Sequence, residues 1–177
     1  DLNRHAQIMD MMNLRTDHYN TINIHVGGAY GDKKEAMKRF CKNFKKLQKS
    51  AQQRLTVEND DKASLYTTQD LYEGIYEVIG IPVIFDYHHH WIHNEGMSEE
   101  EALKLASKTW PEGVRQLTHY SSAKKLYEDE NTKVQSHAEL IYEKINSHGL
   151  DFDIEIEAKG KEIALFKYLE DFVNFAS

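Results

Sequence analysis

Cysteine, proline and long apolar runs are all scarce in this sequence. Its only cysteine is Cys41, which excludes an internal disulfide and suits a reducing compartment. The chain has two prolines, so few helices or strands are interrupted by one. No run of about 18 apolar residues occurs, and no membrane-spanning helix is therefore predicted.

The balance of charge is one-sided. The 177 residues carry a formal net charge of −7, and 40% of them are hydrophobic. This composition predicts a single domain over residues 1–177 with one sizeable core. The negative charge argues against a protein that coats nucleic acid non-specifically. It does not argue against a cleft in which metal cations offset clustered carboxylates.

Short apolar stretches predict five strands, and helical patterns lie between them. The strands are predicted at 19–26, 54–58, 81–90, 114–120 and 153–157, where 81–85 is apolar and leads into a carboxylate and three histidines. Helices are predicted at 3–14, 33–52, 68–79, 99–108 and 138–146, and after residue 161. Strands that alternate with helices form right-handed βαβ units, so the sequence predicts an α/β fold with a parallel sheet.

Two of the predicted helices begin with a capping box, in which a serine and a glutamate satisfy the first backbone N–H groups. These boxes lie at 98–101 and 136–139, and the second places His137 in the first turn of its helix. The final helix is expected to bury one apolar face, formed by Ile163, Phe166, Leu169, Phe172 and Val173.

Histidines and carboxylates collect where the predicted strands end or the next helix begins. These residues are His25, Glu58, Asp86, His89, His119, His137 and Glu157. In parallel α/β folds the C-terminal ends of the strands form one edge, and sites are built there. Any one of these side chains alone could be an ordinary hydrogen-bonded residue at a strand end. All of them at the same edge predict a metal site.

The donor types indicate which ions this site would hold. Imidazole and carboxylate ligands without a thiolate favour a borderline-to-hard divalent ion such as Mn²⁺ or Zn²⁺ over a cysteine-type structural zinc. The candidate ligands exceed one tetrahedral shell, so two or more ions are expected, and such clusters hydrolyse phosphodiesters or amides. Residues 59–61 are candidate supporting partners. In an extended strand His88 and His90 point opposite to His89, so we assign them a supporting or solvated role.

Three further residues are candidate phosphate contacts. Tyr30 and Lys33 lie in a glycine-rich loop before a helix, a place where backbone N–H groups bind phosphate. Lys159 follows Glu157 closely and could reach a phosphate from there. A plain turn and an ordinary surface lysine are the alternative interpretations.

These stretches together carry a resemblance that covers essentially the whole chain. IHVGGAYGDK at 24–33, LTVENDDK at 55–62 and PVIFDYHH at 82–89 resemble the UV damage endonuclease family. So do HYSS at 119–122, His137, and DIEIEAKGKE at 153–162. Each motif alone has little specificity, but the ordered set is specific.

The resemblance implies a (β/α)8 TIM barrel related to endonuclease IV and to xylose-isomerase-like enzymes, with a cluster of Mn²⁺-type ions. It implies an enzyme that cuts damaged double-stranded DNA immediately 5′ to a pyrimidine dimer or another distorting lesion. The family's metal ligands then fall on the histidines and carboxylates at the strand ends named above. No side chain is assigned as the nucleophile, because water activated by the metals is expected to serve. Tyr30, Lys33 and Lys159 become candidate DNA contacts.

The sequence departs from the family pattern in two places. The family has a lysine two residues before the histidine matched by His119, and a carboxylate modification there helps to hold the metals. This chain has Leu117 instead. The family's first strands should also precede Asp1, so we expect about the last five βα units of an incomplete barrel, with the N-terminal part missing.

Two other functions remain open from the sequence. A xylose-isomerase-like sugar isomerase or epimerase uses the same ligand types on the same barrel. A truncated, catalytically incomplete remnant would bind metal without cutting DNA. For the endonuclease we expect the cytoplasm or another intracellular compartment that contains DNA, no membrane, and no obligate protein partner.

Overall fold

The alternating pattern produces a five-stranded, wholly parallel sheet in the computed structural model, which describes residues 1–173. Its strands are β1 (Ile22–Ile24), β2 (Leu55–Glu58), β3 (Val83–Asp86), β4 (Gln116–Tyr120) and β5 (Phe152–Ile156). They lie side by side in chain order, and each consecutive pair is parallel. This confirms the predicted α/β class and the five successive βα units.

The helices connect the strands and cover one face of the sheet. They are α1 (Leu2–Met11), α2 (Lys33–Phe44), α3 (Lys49–Gln52), α4 (Thr68–Leu71), α5 (Glu77–Ile79), α6 (Tyr87–Ile92), α7 (Glu99–Ser107), α8 (Lys124–Tyr127) and α9 (Glu162–Phe172). A π-helical turn at Tyr72–Tyr76 joins α4 to α5, so together they form the helix predicted at 68–79. The helix predicted at 33–52 is interrupted between α2 and α3. No helix among residues 1–173 combines the length and the apolar character needed to cross a bilayer.

Strand alternation divides the sheet into an apolar face and a polar face. Val57 and Phe85 are fully buried on the side that the helices cover. Glu58, Asp86 and His119 alternate with these apolar residues and are also buried, at the C-terminal ends of the central strands. Asp86 on β3 lies directly beside His119 on β4. The core thus fixes the strands whose ends carry the candidate ligands.

The histidine run after β3 is helical, contrary to the prediction of a strand as far as residue 90. Asp86 is the N-cap of α6, and its Oδ1 accepts a hydrogen bond of 2.7 Å from the backbone N–H of His89. Aspartate is among the preferred N-cap residues because it satisfies such a free N–H group. The expectation that His88 and His90 point opposite to His89 along a strand is therefore wrong.

The helix predicted at 138–146 is also absent, and so is its capping box. The segment has no helical turn in the structure, and its backbone bonds to other segments instead. Ala138 donates to Ser122 at 2.9 Å and accepts from Lys159 at 2.9 Å, while Glu139 accepts from Gly160 at 2.8 Å. Because these groups are used between segments, they are not available for a helix.

The final helix lies at the predicted place, but its apolar face is not buried. Ile163 is 65% exposed and Phe166 is 66% exposed, whereas Ala164 is buried. The preceding strand β5 is also partly open, with Ile154 36% exposed. β1 and β5 are the two edges of the sheet within the described residues. The structure is therefore a half-barrel with open sides.

Candidate metal centre

All the predicted ligands meet at the C-terminal edge of the sheet. Glu58, Asp86 and His119 lie on β2, β3 and β4, while His25 and Glu157 directly follow β1 and β5. His89 lies in α6, and His137 forms an isolated bridge with Ala123. The side chains are joined by successive nitrogen–oxygen contacts of 3.9 Å or less. The prediction that they converge is confirmed by this arrangement, while their role as ligands stays a prediction.

Glu58 lies at the centre of the cluster and is 4% exposed. Its Oε1 is 3.2 Å from His89 Nδ1, and its Oε2 is 3.3 Å from His119 Nδ1. Burial by itself would raise the pKa of Glu58, but the contacts with His119 and His89 outweigh it and hold that pKa well below its usual range. Glu58 is therefore an anion with the imidazoles of His89 and His119 on its two sides.

Asp86 is fully buried and only partly satisfied. Its Oδ2 has no hydrogen-bond partner. Burial raises the pKa of Asp86 to about 6, although the nearby charge of His89 opposes the shift. Asn59, which is also fully buried, holds the backbone of Asp86 on both sides: it donates to the carbonyl at 3.0 Å and accepts from the N–H at 2.9 Å. Asn59 thereby fixes the end of β3 against the end of β2.

His119 is surrounded by carboxylates. Its Nδ1 lies 3.2 Å from Glu157 and 3.3 Å from Glu58, and its Nε2 lies 3.5 Å from Glu155. Burial alone would lower the pKa of His119, but contacts with Glu157 and Glu58 raise it to about 10. The contact with His119 also lowers the pKa of Glu157. A proton on His119 thus offsets the negative charge of the carboxylates around it.

In the three other histidines of the cluster, the ring nitrogen Nδ1 lies close to an oxygen atom. His25 Nδ1 is 3.1 Å from a carboxylate oxygen of Asp60, and this hydrogen bond raises the pKa of His25. His89 Nδ1 is 2.9 Å from the backbone carbonyl of Asn59. His137 Nδ1 is 3.0 Å from the backbone carbonyl of Glu157. Such contacts hold an imidazole in one orientation, although Nδ1 of His89 also lies 3.2 Å from Glu58 Oε1.

The donor geometry fits divalent cations. One group of possible ligands is His25, Glu58 and His89, another is Glu58, Asp86 and His119, and within each the ligand atoms lie within 4.8 Å of one another. Glu58 belongs to both groups and is placed to bridge them. The unpartnered Asp86 Oδ2 is an acceptor that a buried cation would satisfy, and the ring nitrogens of His119, which form no well-aligned hydrogen bond with the carboxylates around them, are further potential ligand atoms. The side chains present therefore suit nitrogen- and oxygen-ligated ions.

His88 and His90 lie outside both groups. His88 stacks on Trp91 at 5.7 Å between ring centroids and meets His137 edge-on at 5.2 Å. Burial, with the nearby charges of His137 and His89, lowers the pKa of His88 to about 4, so it is neutral near pH 7. His90 packs against Phe85. Both act through packing rather than as members of the cluster.

A cavity of about 900 Å³ opens beside the cluster and is lined by residues of the glycine-rich loop together with His25, Asp60 and His89. Tyr30 in this loop is 89% exposed. Lys33 is largely covered and forms ion pairs with Asp70 at 3.0 Å and with Glu95 at 3.1 Å. Lys159, beyond β5, is exposed.

Asn23 is a supporting residue that the sequence analysis missed. Its side-chain amide donates to Glu58 Oε2 at 2.5 Å, and its Oδ1 accepts from Thr56 at 3.1 Å. The sequence could have indicated Asn23, because it precedes His25 by two positions and residues two apart along a strand share a face. The carboxylate of Glu58 is thus oriented from the neighbouring strand.

Comparisons with known proteins agree with this architecture. The sequence model of the family described as UV-endonuclease UvdE matches residues 1–177. A UV DNA damage endonuclease of Bacillus cereus is 37% identical over 97% of this chain and 54% of its own length. The one of Bacillus pumilus is 36% identical over 97% of this chain and 53% of its own length.

A solved structure gives the same result for the fold. The crystal structure of SacUVDE superposes with a TM-score of 0.80 and 34% sequence identity, over 96% of this chain and 55% of that one. The chain therefore spans about half the length of the curated relatives it matches.

Proposed function

Because the chain belongs to the UV-endonuclease UvdE family, we propose that it acts in a metal-dependent DNA repair endonuclease. The substrate is double-stranded DNA with pyrimidine dimers or other distorting lesions, and the backbone is cut on the 5′ side of the damage. The names of the relatives support the substrate class, since they are called UV DNA damage endonucleases. Activity of the whole protein is part of the proposal, because this chain spans about half of each of those relatives.

The observation that carries this proposal is the position of Glu58. One buried carboxylate belongs to two groups of potential ligands at the open edge of the sheet. Phosphodiester hydrolysis needs groups that stabilise charge on both the attacking and the leaving oxygen, and divalent cations held by Glu58 and its neighbours would supply that stabilisation. A strand-end cluster with a purely structural role would not require an unpartnered Asp86 Oδ2.

The proposed metal ligands are His25, Glu58, Asp86, His89, His119, His137 and Glu157. We propose two or more ions, with Mn²⁺ as the metal and Zn²⁺ as the alternative. When bound, such ions supply Lewis-acid stabilisation of the charge that develops on the phosphoryl oxygens. The remaining chemistry depends on how the chain holds these side chains in place.

Two asparagines orient the central carboxylates. Asn23 donates to Glu58 and fixes the rotation of its carboxylate, while Asn59 clamps the backbone of Asp86. Leu117 is half-buried on β4, on the face that carries His119. It brings no ligand to the cluster, so the carboxylates of this site come from aspartate and glutamate side chains.

The proposed DNA contacts are Tyr30, Lys159 and Lys33. Tyr30 offers an exposed ring at the cavity beside the cluster, where it can stack on a base. Lys159 offers an exposed ammonium close to Glu157. Lys33 already pairs with Asp70 and Glu95 and must exchange one of them for a phosphate. Its contribution to binding is therefore expected to be smaller than that of Lys159.

The test is nicking of UV-irradiated supercoiled plasmid, with Mn²⁺ bound per chain measured in parallel. The parent chain is expected to bind Mn²⁺ and to nick irradiated plasmid in preference to unirradiated plasmid. Glu58→Gln keeps the shape of the side chain but removes the shared anion. It should lose most of the bound metal and reduce nicking by about 100-fold or more. Glu112→Gln, which changes an exposed turn residue, is the matched control and should behave as the parent.

The outcomes separate the competing functions. Metal binding without nicking of irradiated plasmid would favour the metal-binding remnant over the enzyme. Turnover of a ketose with metal, and no nicking, would favour the sugar isomerase. If Glu58→Gln kept its metal content and its nicking rate, the proposed centre would be wrong.

A further inference from the structure

His25 is the most exposed of the histidines in the cluster, and the buried carboxylate of Asp60 lies against its Nδ1. Its side chain is 43% exposed, whereas that of Asp60 is 6% exposed. The two meet at 3.1 Å between His25 Nδ1 and Asp60 Oδ1. The other ring nitrogen, Nε2, is directed towards Glu58 Oε1 at 3.9 Å. His25 thus has a separate partner on each side of its ring.

Two contacts anchor the backbone of Asp60. Its backbone N–H donates to the carbonyl of Tyr66 at 2.8 Å. Its backbone carbonyl lies 3.3 Å from His93 Nδ1, and His93 is buried. The other nitrogen of His93 contacts Glu95 at 3.3 Å, and Glu95 pairs with Lys33 at 3.1 Å. The backbone of Asp60 is therefore anchored by Tyr66 and His93, which keeps its carboxylate beside His25.

We infer that Asp60 is a positioning residue, which keeps the proton of His25 on Nδ1 so that Nε2 faces the metal centre. A carboxylate only accepts hydrogen bonds, so the nitrogen beside it must carry the proton. A neutral imidazole has one N–H group, and the lone pair is then on Nε2. This inference rests on the proposed metal centre, and it names a residue beyond the proposed ligands.

Two other histidines place Nδ1 against a backbone acceptor, and in one of them, His89, the same nitrogen also lies 3.2 Å from Glu58 Oε1. His89 Nδ1 is 2.9 Å from the carbonyl of Asn59, and His137 Nδ1 is 3.0 Å from the carbonyl of Glu157. A backbone carbonyl cannot be removed by mutation, whereas the side chain of Asp60 can. His25 is therefore the histidine whose orientation is open to a direct test.

The competing role for Asp60 is direct ligation, because its Oδ2 has no hydrogen-bond partner. The two roles respond differently to Asp60→Asn. An asparagine keeps an oxygen that accepts from His25 Nδ1, but it loses the negative charge that makes a carboxylate a strong ligand for a divalent cation. A positioning role predicts that asparagine rescues most of the function that alanine removes. Direct ligation predicts that asparagine and alanine are equally harmful.

The experiment compares Asp60→Ala, Asp60→Asn and His25→Ala in the full chain. Mn²⁺ affinity is measured by titration calorimetry. The tautomer of His25 is read from ¹⁵N NMR of the metal-free chain with labelled histidine, and His25→Ala identifies its signals. Asp60→Ala should weaken Mn²⁺ binding by about 10- to 100-fold and give a mixture of His25 tautomers. Asp60→Asn should keep the Nδ1–H tautomer and recover most of the affinity.

Ser64→Ala is the control, because Ser64 is an exposed residue that lines the same cavity. It should leave both measurements at parent values. If Asp60→Ala keeps the Nδ1–H tautomer and the affinity of the parent, the inference is wrong. It is also wrong if Asp60→Asn loses as much affinity as Asp60→Ala while the tautomer stays unchanged.

Failure of the proposed function gives a different result. If His25→Ala binds Mn²⁺ with the affinity of the parent, His25 is not a ligand of the metal centre. The ¹⁵N NMR signal of His25 would still show whether Asp60 fixes its tautomer. Loss of the parent NMR pattern would show that Asp60→Ala is misfolded. In that case the His25 tautomer is measured in Asp60→Asn and compared with the parent.

Discussion

At the scale of single residues, the site depends on side chains that do not themselves face a ligand. Asn59 shows this most directly, since its amide satisfies both the N–H and the carbonyl of Asp86. Both residues are fully buried, so no water from bulk solvent can replace these bonds. The side chain that joins the ends of β2 and β3 therefore determines where the carboxylate of Asp86 lies.

We predict that Asn59→Leu lowers the free energy of unfolding by about 1–3 kcal/mol, because it leaves the buried backbone N–H of Asp86 unpaired and removes one of the hydrogen bonds to its carbonyl. Leucine has a similar volume, so little of this loss comes from a cavity. Denaturant unfolding followed by circular dichroism measures the change. Asn131→Leu, at an exposed loop position, is the control and should change stability by less than about 0.5 kcal/mol. Equal midpoints for the two variants would contradict the clamp.

The residue types of the site could be predicted, because His, Asp and Glu at successive strand ends follow from a period-two pattern and the parallel topology. Their mutual contacts could not. Asp86 lies beside His119, whereas Glu58 lies beside Ile84, and this register follows from core packing rather than from any local signal. The central place of Glu58 is therefore a result of the three-dimensional structure.

At the scale of whole elements, two predicted conformations failed for physical reasons of different kinds. The helix α6 after β3 had a local signal, since Asp86 is an N-cap, but the apolar strand before it favoured continued extension. The segment 138–146 had a capping pattern, but its backbone groups bond to residues 122, 159 and 160. In this segment, contacts between parts of the chain that are distant in sequence outweigh the local propensity for helix.

The link between that segment and the last helix gives a test at this scale. A Cβ atom added at Gly160 would lie 2.5 Å from the backbone oxygen of Glu139. Backbone held by hydrogen bonds cannot move away easily, so Gly160→Ala is expected to destabilise the chain by about 1–3 kcal/mol. It should also disturb the neighbouring Glu157 and Lys159. Thermal unfolding measures the first effect, and Mn²⁺ affinity measures the second.

Gly74→Ala is the matched control for this substitution. Its added Cβ would meet the end of the Met37 side chain at 2.4 Å, and a flexible thioether can turn aside. Alanine also favours the helical backbone by about 1 kcal/mol over glycine. Gly74→Ala should therefore cost clearly less than Gly160→Ala. The reverse order would show that the contact with Glu139 does not constrain the connection between β5 and α9.

At the scale of the whole molecule, the chain forms a half-barrel that leaves apolar surface open. The sequence predicted a buried face for α9 because amphipathic helices normally pack on a neighbour. In the structure Ile163 and Phe166 are largely exposed, next to the edge strand β5. An exposed apolar face beside a sheet edge favours association. The apolar pattern thus predicted the helix α9 correctly, but the prediction that this face is buried is wrong.

We predict that the isolated chain self-associates with increasing concentration and that Ile163→Glu with Phe166→Glu reduces this. Both side chains are exposed, so charge placed there should repel a second copy without unfolding the first. Sedimentation velocity over a range of concentrations measures the association, and circular dichroism confirms the fold. Val78→Glu is the control, because Val78 is 59% exposed in α5, away from β5. If the double variant and the control sediment alike, the open face of α9 is not the surface through which the chains associate.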